Sequence, residues 1–154
     1  EIWQWAGKLN IGGGQAIRRA GLKAATDVTG FGLGGHLLEM AVASNVQVEL
    51  WADAIPLMHR VKELALMGMV PAGSFANKGF CIHSLKADTD VEDIMVDLAF
   101  DAQTSGGLVL AVPEDKLDQV LESLHESGDM AAKVGRVRGE AQDGIHLHLK
   151  ATQA

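Results

Sequence analysis

The sequence predicts an α/β sandwich of mixed topology, on two observations. Apolar residues three and four apart, the mark of half-buried helices, alternate along the whole chain with short runs of strand type. The 154 residues are 47% hydrophobic and 21% charged, with 18 glycines against 3 prolines, the balance of one globular domain around one core. No repeat, heptad array or interdomain linker interrupts the alternation.

Each element has its own local signature. A first short helix is expected over 13–20, with Gly21 as its stop. Leu33, Leu37, Met40 and Ala41 form a buried stripe within a helix over 32–44. Val46, Val48 and Leu50 alternate with Gln47 and Glu49, the pattern of a half-buried strand over 46–51. Pro56 opens a helix that carries Leu57, Val61 and Leu64 on one face and ends at Gly68. Residues 70–79 read as a loop and 80–85 as a strand, in which Cys81 is a buried thiol. Val91, Ile94, Met95 and Leu98 make the next helical stripe. A turn-rich loop over 101–107 then feeds an apolar strand over 108–112. Pro113 starts a helix with Leu117, Val120, Leu121 and Leu124 on one face and Gly128 as its cap. Residues 131–137 and 145–149 are expected to close the chain as a hairpin.

Charge narrows the function. Lys and Arg number 13 against 20 Asp and Glu, a net charge of −7 at pH 7, which repels phosphodiester backbones and anionic lipid surfaces. Nucleic-acid and membrane partners are therefore not expected, and a polyphosphate ligand needs a bridging cation. Every apolar run is interrupted before it reaches membrane-spanning length. Residues 1–5 lack the basic segment and apolar stretch of a secretory signal, and the chain reads as an excised piece of a cytoplasmic protein. Cys81 is the single cysteine, so there is neither a disulfide framework nor a thiolate metal site.

The most unusual stretch runs from Ala25 to His36. Gly30, Gly32 and Gly35 satisfy G-x-G-x-x-G ahead of a helix, and Glu49 lies near the end of the next strand, as in a Rossmann-type dinucleotide-binding module. Residues 23–29, however, offer only Val28 as an apolar β-branched residue where such a module has a buried strand. The other reading turns on Asp27, placed before a turn and a helix start where backbone N–H groups and the helix dipole favour phosphate oxygens. Its carboxylate is a hard oxygen ligand for Mg²⁺, or else an Asx-type turn former. A buried parallel strand before Gly30 favours the dinucleotide reading; an exposed turn carrying Asp27 favours the cation reading.

The run Thr26-Asp27-Val28-Thr29-Gly30-Phe31-Gly32-Leu33-Gly34-Gly35-His36-Leu37 closely resembles the signature of the selenophosphate synthetases (selenide, water dikinases), members of the AIR-synthase-like ATP-binding superfamily. Further segments resemble that family in the same order: 54–57 its helix entry, 70–74 with Asn77 its Gly-rich loop, 100–108 its second signature and 135–137 its late strand. The resemblance runs from about Leu9 to the end, with residues 1–8 a poorly matched extension and 9–154 one AIR-synthase-like carboxy-terminal domain. Gly34 stands where the family usually has Leu, Ala72 where it has Gly, and Ala102 where it has Pro.

The resemblance implies a mixed sheet flanked by helices and an enzyme that makes selenophosphate from ATP and a reduced selenium donor, releasing AMP and orthophosphate. It further implies a Mg²⁺-dependent homodimer whose metals are held mainly by the amino-terminal half, with one ligand at Asp27. Thr29, Gly30 and Gly32 are then expected near the phosphates or shaping that wall of the cleft. The family's catalytic Cys or selenocysteine and essential Lys have no counterpart here, since Gly12-Gly13-Gly14 lacks both, so the chain alone is expected to hold no catalytic residue and to be inactive. Its implied partners are the missing amino-terminal half, ATP, and selenide or a selenium-delivery protein. A family-like domain that serves only in assembly is a third reading.

Other candidates carry less. His146 and His148 lie two apart on a strand with no third ligand nearby, as on a solvent-facing strand edge. The acidic run 88–93 lacks the Gly and Glu of a calcium loop and suits a helix start. His36 reads as a packed, hydrogen-bonded histidine, Thr104 to Gly107 as a tight turn, and Trp3 and Trp5 as exposed rings.

Overall fold

A computed structural model of the chain describes residues 1–153. Two helices open it, α1 (Ile2–Ala6) and α2 (Ile11–Ala20), the second closed by Gly21 in the left-handed conformation at φ +62°. Strand β1 (Ala25–Asp27), helix α3 (Gly32–Ala43) and strand β2 (Val46–Trp51) follow. After a 3₁₀ turn over Ala52–Ala54 come α4 (Val61–Leu66), α5 (Ala72–Cys81) and β3 (Leu85–Ala87). The chain continues through α6 (Asp93–Ala99), β4 (Leu108–Leu110), α7 (Leu117–Glu126), β5 (Gly135–Glu140) and β6 (Leu147–Lys150).

The strands form two sheets. One has the order β3-β6-β2-β5, with β6 parallel to both β3 and β2 and β5 antiparallel to β2. The other is an antiparallel ribbon of β1 and β4, in register Ala25 opposite Leu110 and Asp27 opposite Leu108. This is the expected mixed α/β architecture. Val48 and Leu50 of β2 and Leu147 and Leu149 of β6 turn one face of the larger sheet toward Leu37, Leu38 and Ala41 of α3 and Met95 and Ala99 of α6. A smaller cluster joins Ala16 and Ala20 of α2 to Val120 of α7, next to Leu110 of the ribbon.

The opposite face of the larger sheet is ionic. Glu49 is only 3% exposed; its Oε2 accepts from Arg136 Nε at 2.6 Å, and its Oε1 lies 2.9 Å from Arg138 Nε and 3.2 Å from Lys150 Nζ. Burial alone would raise the pKa of this carboxyl, but the hydrogen bonds from Arg136, Arg138 and Lys150 outweigh it and hold the value at about 2.

Five expectations from the sequence need correction. Residues 70–79 are not a loop: most of them form α5, whose inward stripe Ser74, Asn77, Lys78 and Cys81 has helical spacing but is polar, so no hydrophobic period marks it. Residues 80–85 are not a strand: Cys81 ends α5, a 3₁₀ turn covers Ile82–Ser84, and only Leu85 begins β3. The segments 131–137 and 145–149 do not form a hairpin, because β2 lies between β5 and β6. Leu147 and Leu149 are fully buried and need neighbours on both sides, whereas β5, with Arg136 and Arg138, suits an edge. The histidines of β6 consequently stand on an interior strand, not a solvent-facing edge: His148 Nε2 lies 2.7 Å from Asp88 Oδ1, and His146 Nδ1 lies 3.0 Å from the carbonyl of Val46. The helix after Pro56 also begins late, at Val61. Trp3 is 91% exposed, as expected for the amino end.

Candidate functional site

The two glycine-containing signature segments lie side by side. The β1–β4 ladder continues past Asp27: Val28 N–H donates to Gly107 O at 3.0 Å, and Gly106 N–H donates to Val28 O at 2.9 Å. One residue later Thr29 O accepts from both Gly32 N–H at 2.9 Å and Gln103 N–H at 3.1 Å. Segment 26–32 thus ends on a turn that faces the loop 101–107 and starts α3.

Helix α5 fastens this pair of segments from behind. Asn77 Nδ2 donates to Gly30 O at 2.7 Å and to Phe100 O at 3.2 Å, one side-chain amide spanning both. Ser74, 1% exposed, donates through Oγ to Asp101 Oδ1 at 3.2 Å and accepts from Ala102 N–H at 3.3 Å. Gln103 donates to the other oxygen of Asp101. A proline at position 102 could not donate that bond, so the alanine here has a structural consequence. Lys78, one turn on, pairs with Asp97 of α6. No role for Asn77 or the loop 103–107 is legible in the sequence; the helical spacing of Ser74, Asn77, Lys78 and Cys81 is the one signal there.

Asp27, the expected metal ligand, is exposed at the end of β1. Thr26 Oγ1 donates to its backbone carbonyl at 3.1 Å, and its carboxylate has no hydrogen-bond or ion-pair partner among the described residues. Thr29 is half-buried and Gly30 exposed, with open space where a Gly30 Cβ would sit. Gly32 is different: buried, at φ +71°, with a Cβ position only 2.6 Å from the carbonyl carbon of Phe100 and 2.8 Å from Asp101 O. Its side faces the second signature segment, so it sets how closely the two approach. Gly34, the departure from the usual Leu, lies against the fully buried Phe100 ring, 2.9 Å from where a Cβ would be.

His36 is packed as expected, 9% exposed, between Thr29 Oγ1 at 3.0 Å and Glu39 Oε2 at 3.1 Å. Cys81 is buried at the end of α5, and that burial, with the charge of Glu39, pushes its thiol above the usual range and away from thiolate chemistry.

As a metal donor, Asp27 fits a hard divalent cation, being a carboxylate oxygen with nothing to compete for it. It does not complete a cage: among the described residues no three His, Cys, Asp or Glu side chains are grouped to hold a metal ion. A cation at Asp27 therefore takes its remaining ligands from elsewhere.

The strand before Gly30 decides between the nucleotide readings. It is a three-residue exposed strand, antiparallel to β4, and not the buried parallel strand of a dinucleotide fold. Glu49, the ribose-binding acid of that reading, is already enclosed by Arg136, Arg138 and Lys150. The Rossmann alternative is set aside on both counts. Among the described residues no helix is long and apolar enough to cross a membrane.

Comparison with known proteins shows the family of the chain. The family described as AIR synthase related protein, C-terminal domain, matches residues 12–148. The selenide, water dikinase of Nitratidesulfovibrio vulgaris is 51% identical over 150 residues, covering 97% of this chain and 43% of that protein. The selenide, water dikinase of Caldanaerobacter subterraneus is 39% identical over 140 residues, covering 90% of this chain and 40% of that protein. The chain thus spans about two fifths of the length of these relatives. The crystal structure of thiamine-monophosphate kinase from Stenotrophomonas maltophilia is similar in fold, with a TM-score of 0.56 at 21% identity over 90% of this chain and 34% of that one.

Proposed function

The chain belongs to the AIR synthase related proteins as their C-terminal domain, and from that membership we propose that it forms one wall of a Mg²⁺–ATP site in a selenophosphate-forming kinase. The relatives named selenide, water dikinase are more than twice as long, so the reading assigns the remaining cation ligands and the reactive groups to a preceding half of the same protein. The complete protein would convert ATP and selenide, free or brought by a delivery protein, to selenophosphate, AMP and orthophosphate, working as a homodimer in the cytoplasm.

The observation that carries the proposal is the exposed, unpartnered carboxylate of Asp27 beside the wall where the two signature segments meet. A chain of net charge −7 repels a triphosphate, and phosphoryl transfer needs positive charge around the transferring group. The cation supplies that charge when bound. Asp27 gives it one anchor on this chain. Gly30 leaves the wall open at its lip, Gly32 fixes the depth of the turn, and the Thr29 hydroxyl oxygen lies next to Gly30 in the chain. Asn77 holds the Gly30 carbonyl back from the opening. No residue of this chain is assigned a catalytic role.

The test is Asp27→Asn in the full-length protein. ATP turnover should fall by at least about a hundredfold, the loss typical of removing an electrostatic contact to the reacting group. The melting temperature should stay where it was, since the side chain is exposed. Turnover near that of the parent would refute the assignment.

A further inference from the structure

Helix α3 carries a polar chain directly behind the candidate wall. His36 is 9% exposed; Thr29 Oγ1 lies 3.0 Å from its Nε2, and Glu39 Oε2 lies 3.1 Å from its Nδ1. The Phe31 ring stands edge-on at 5.8 Å and 63°, fixing the imidazole from the side. A carboxylate only accepts, so Nδ1 carries the hydrogen of that contact. In the neutral ring Nε2 is then an acceptor, and the hydrogen shared with Thr29 comes from the hydroxyl. With that hydrogen committed inward, Thr29 Oγ1 has only lone pairs left for anything outside. Asp27, exposed, and Thr29, half-buried, flank Val28, which is 4% exposed, so both of the flanking residues reach the surface of the segment. Their side chains together present oxygen acceptors and no donor. A phosphate oxygen requires a donor; a divalent cation with its hydration shell requires acceptors.

The geometry points to His36 as a positioning residue: backed by Glu39, it takes the Thr29 hydroxyl hydrogen and so assigns Thr29 Oγ1 to the divalent cation beside Asp27, not to phosphate. The inference rests on the cation reading of Asp27 and adds to it a second contact and the means of orienting it.

The experiment titrates Mn²⁺ alone into the full-length protein and follows free Mn²⁺ by electron paramagnetic resonance, with no turnover involved. Thr29→Val and His36→Leu should each weaken Mn²⁺ about tenfold, as loss of an orienting partner does at metal sites. The double variant should bind no more weakly than either single one, because His36 acts through Thr29. His36→Gln, whose amide oxygen can take the same hydrogen, should recover most of the loss. Losses that multiply in the double variant, or His36→Leu binding Mn²⁺ as the parent does, would overturn the inference. If His36→Leu does not fold, Glu39→Ala serves in its place: the Glu39 side chain is 62% exposed, and removing the acceptor of the Nδ1 hydrogen should weaken Mn²⁺ several-fold while leaving the fold intact. Unaltered affinity in that variant would equally overturn it. Asp27→Asn separates the two levels. Indifference of Mn²⁺ to Asp27→Asn sinks the cation reading itself; sensitivity to Asp27→Asn with indifference to His36 and Glu39 sinks only the positioning role.

Discussion

Replacing Gly32 by alanine should separate the two signature segments and destabilise the domain. The new methyl carbon would lie 2.6 Å from the carbonyl carbon of Phe100, 2.8 Å from Asp101 O and 2.9 Å from Phe100 Cα, all backbone atoms that no side-chain rotation can move. Phe100 and Ala99 behind them are fully buried, so retreat on that side opens the core. The residue also sits at φ +71°, where a side chain costs roughly 1–2 kcal/mol. Overpacking adds roughly 1–3 kcal/mol, and the stiffer unfolded chain of an alanine variant returns about 0.5–1 kcal/mol. The net loss is about 1–4.5 kcal/mol, which for a chain of this length lowers the melting temperature by about 2–18 °C. Thermal unfolding followed by circular dichroism reads it directly. Gly30→Ala is the internal control: nothing lies within 4 Å of its Cβ position, so its stability should stay within about 0.5 kcal/mol of the parent. A Gly32→Ala variant that melts with the parent would refute the close approach from which the wall is built.

The ionic layer on the larger sheet predicts an acid-sensitive stability. Because the Glu49 pKa falls from 4.5 to about 2 on folding, its contribution is complete above pH 4.5 and disappears as pH falls through about 2, a total of about 3 kcal/mol. Denaturant midpoints of the parent and Glu49→Gln should therefore differ most at neutral pH and converge toward pH 2; a gap independent of pH contradicts the assignment. Asn77→Ala removes two hydrogen bonds that join the signature segments and should cost about 1–3 kcal/mol, read in the same unfolding assay. Cys81 should react with a thiol reagent at pH 7.5 well below the rate of a free cysteine, since burial and Glu39 raise its pKa, and rapid labelling of the folded protein would contradict that.

Helix α3, strand β2 and helix α7 were legible in the sequence because their buried residues are apolar and fall at the period of the element. Leu37 and Ala41 mark α3, Val48 and Leu50 mark β2, and Val120 marks α7. Helix α5 was not legible. Its inward residues Ser74, Asn77 and Lys78 are held by hydrogen bonds and an ion pair whose partners lie 19 to 47 residues away in sequence, and hydropathy does not register such contacts. The order of β5 and β6 failed for a related reason: proximity in sequence suggested a hairpin, while the complete burial of Leu147 and Leu149 required an interior strand. At the candidate site, the position of Asp27 before a turn and helix could be read from the motif, as could a packed His36. The clasp of Asn77 across Gly30 and Phe100, and the use of the Ala102 N–H by Ser74, join segments far apart in the chain and emerge only in three dimensions.

On the proposed reading, one carboxylate on this domain helps hold the divalent cation of a nucleotide site shared with the rest of the protein. Calorimetric titration of full-length protein with a non-hydrolysable ATP analogue, in Mg²⁺ and again in EDTA, tests it most directly. The parent should bind at least about tenfold more tightly with Mg²⁺ than without, and Asp27→Asn should lose most of that difference while keeping the metal-free affinity. An Asp27→Asn protein that retains the full Mg²⁺ dependence would contradict the account.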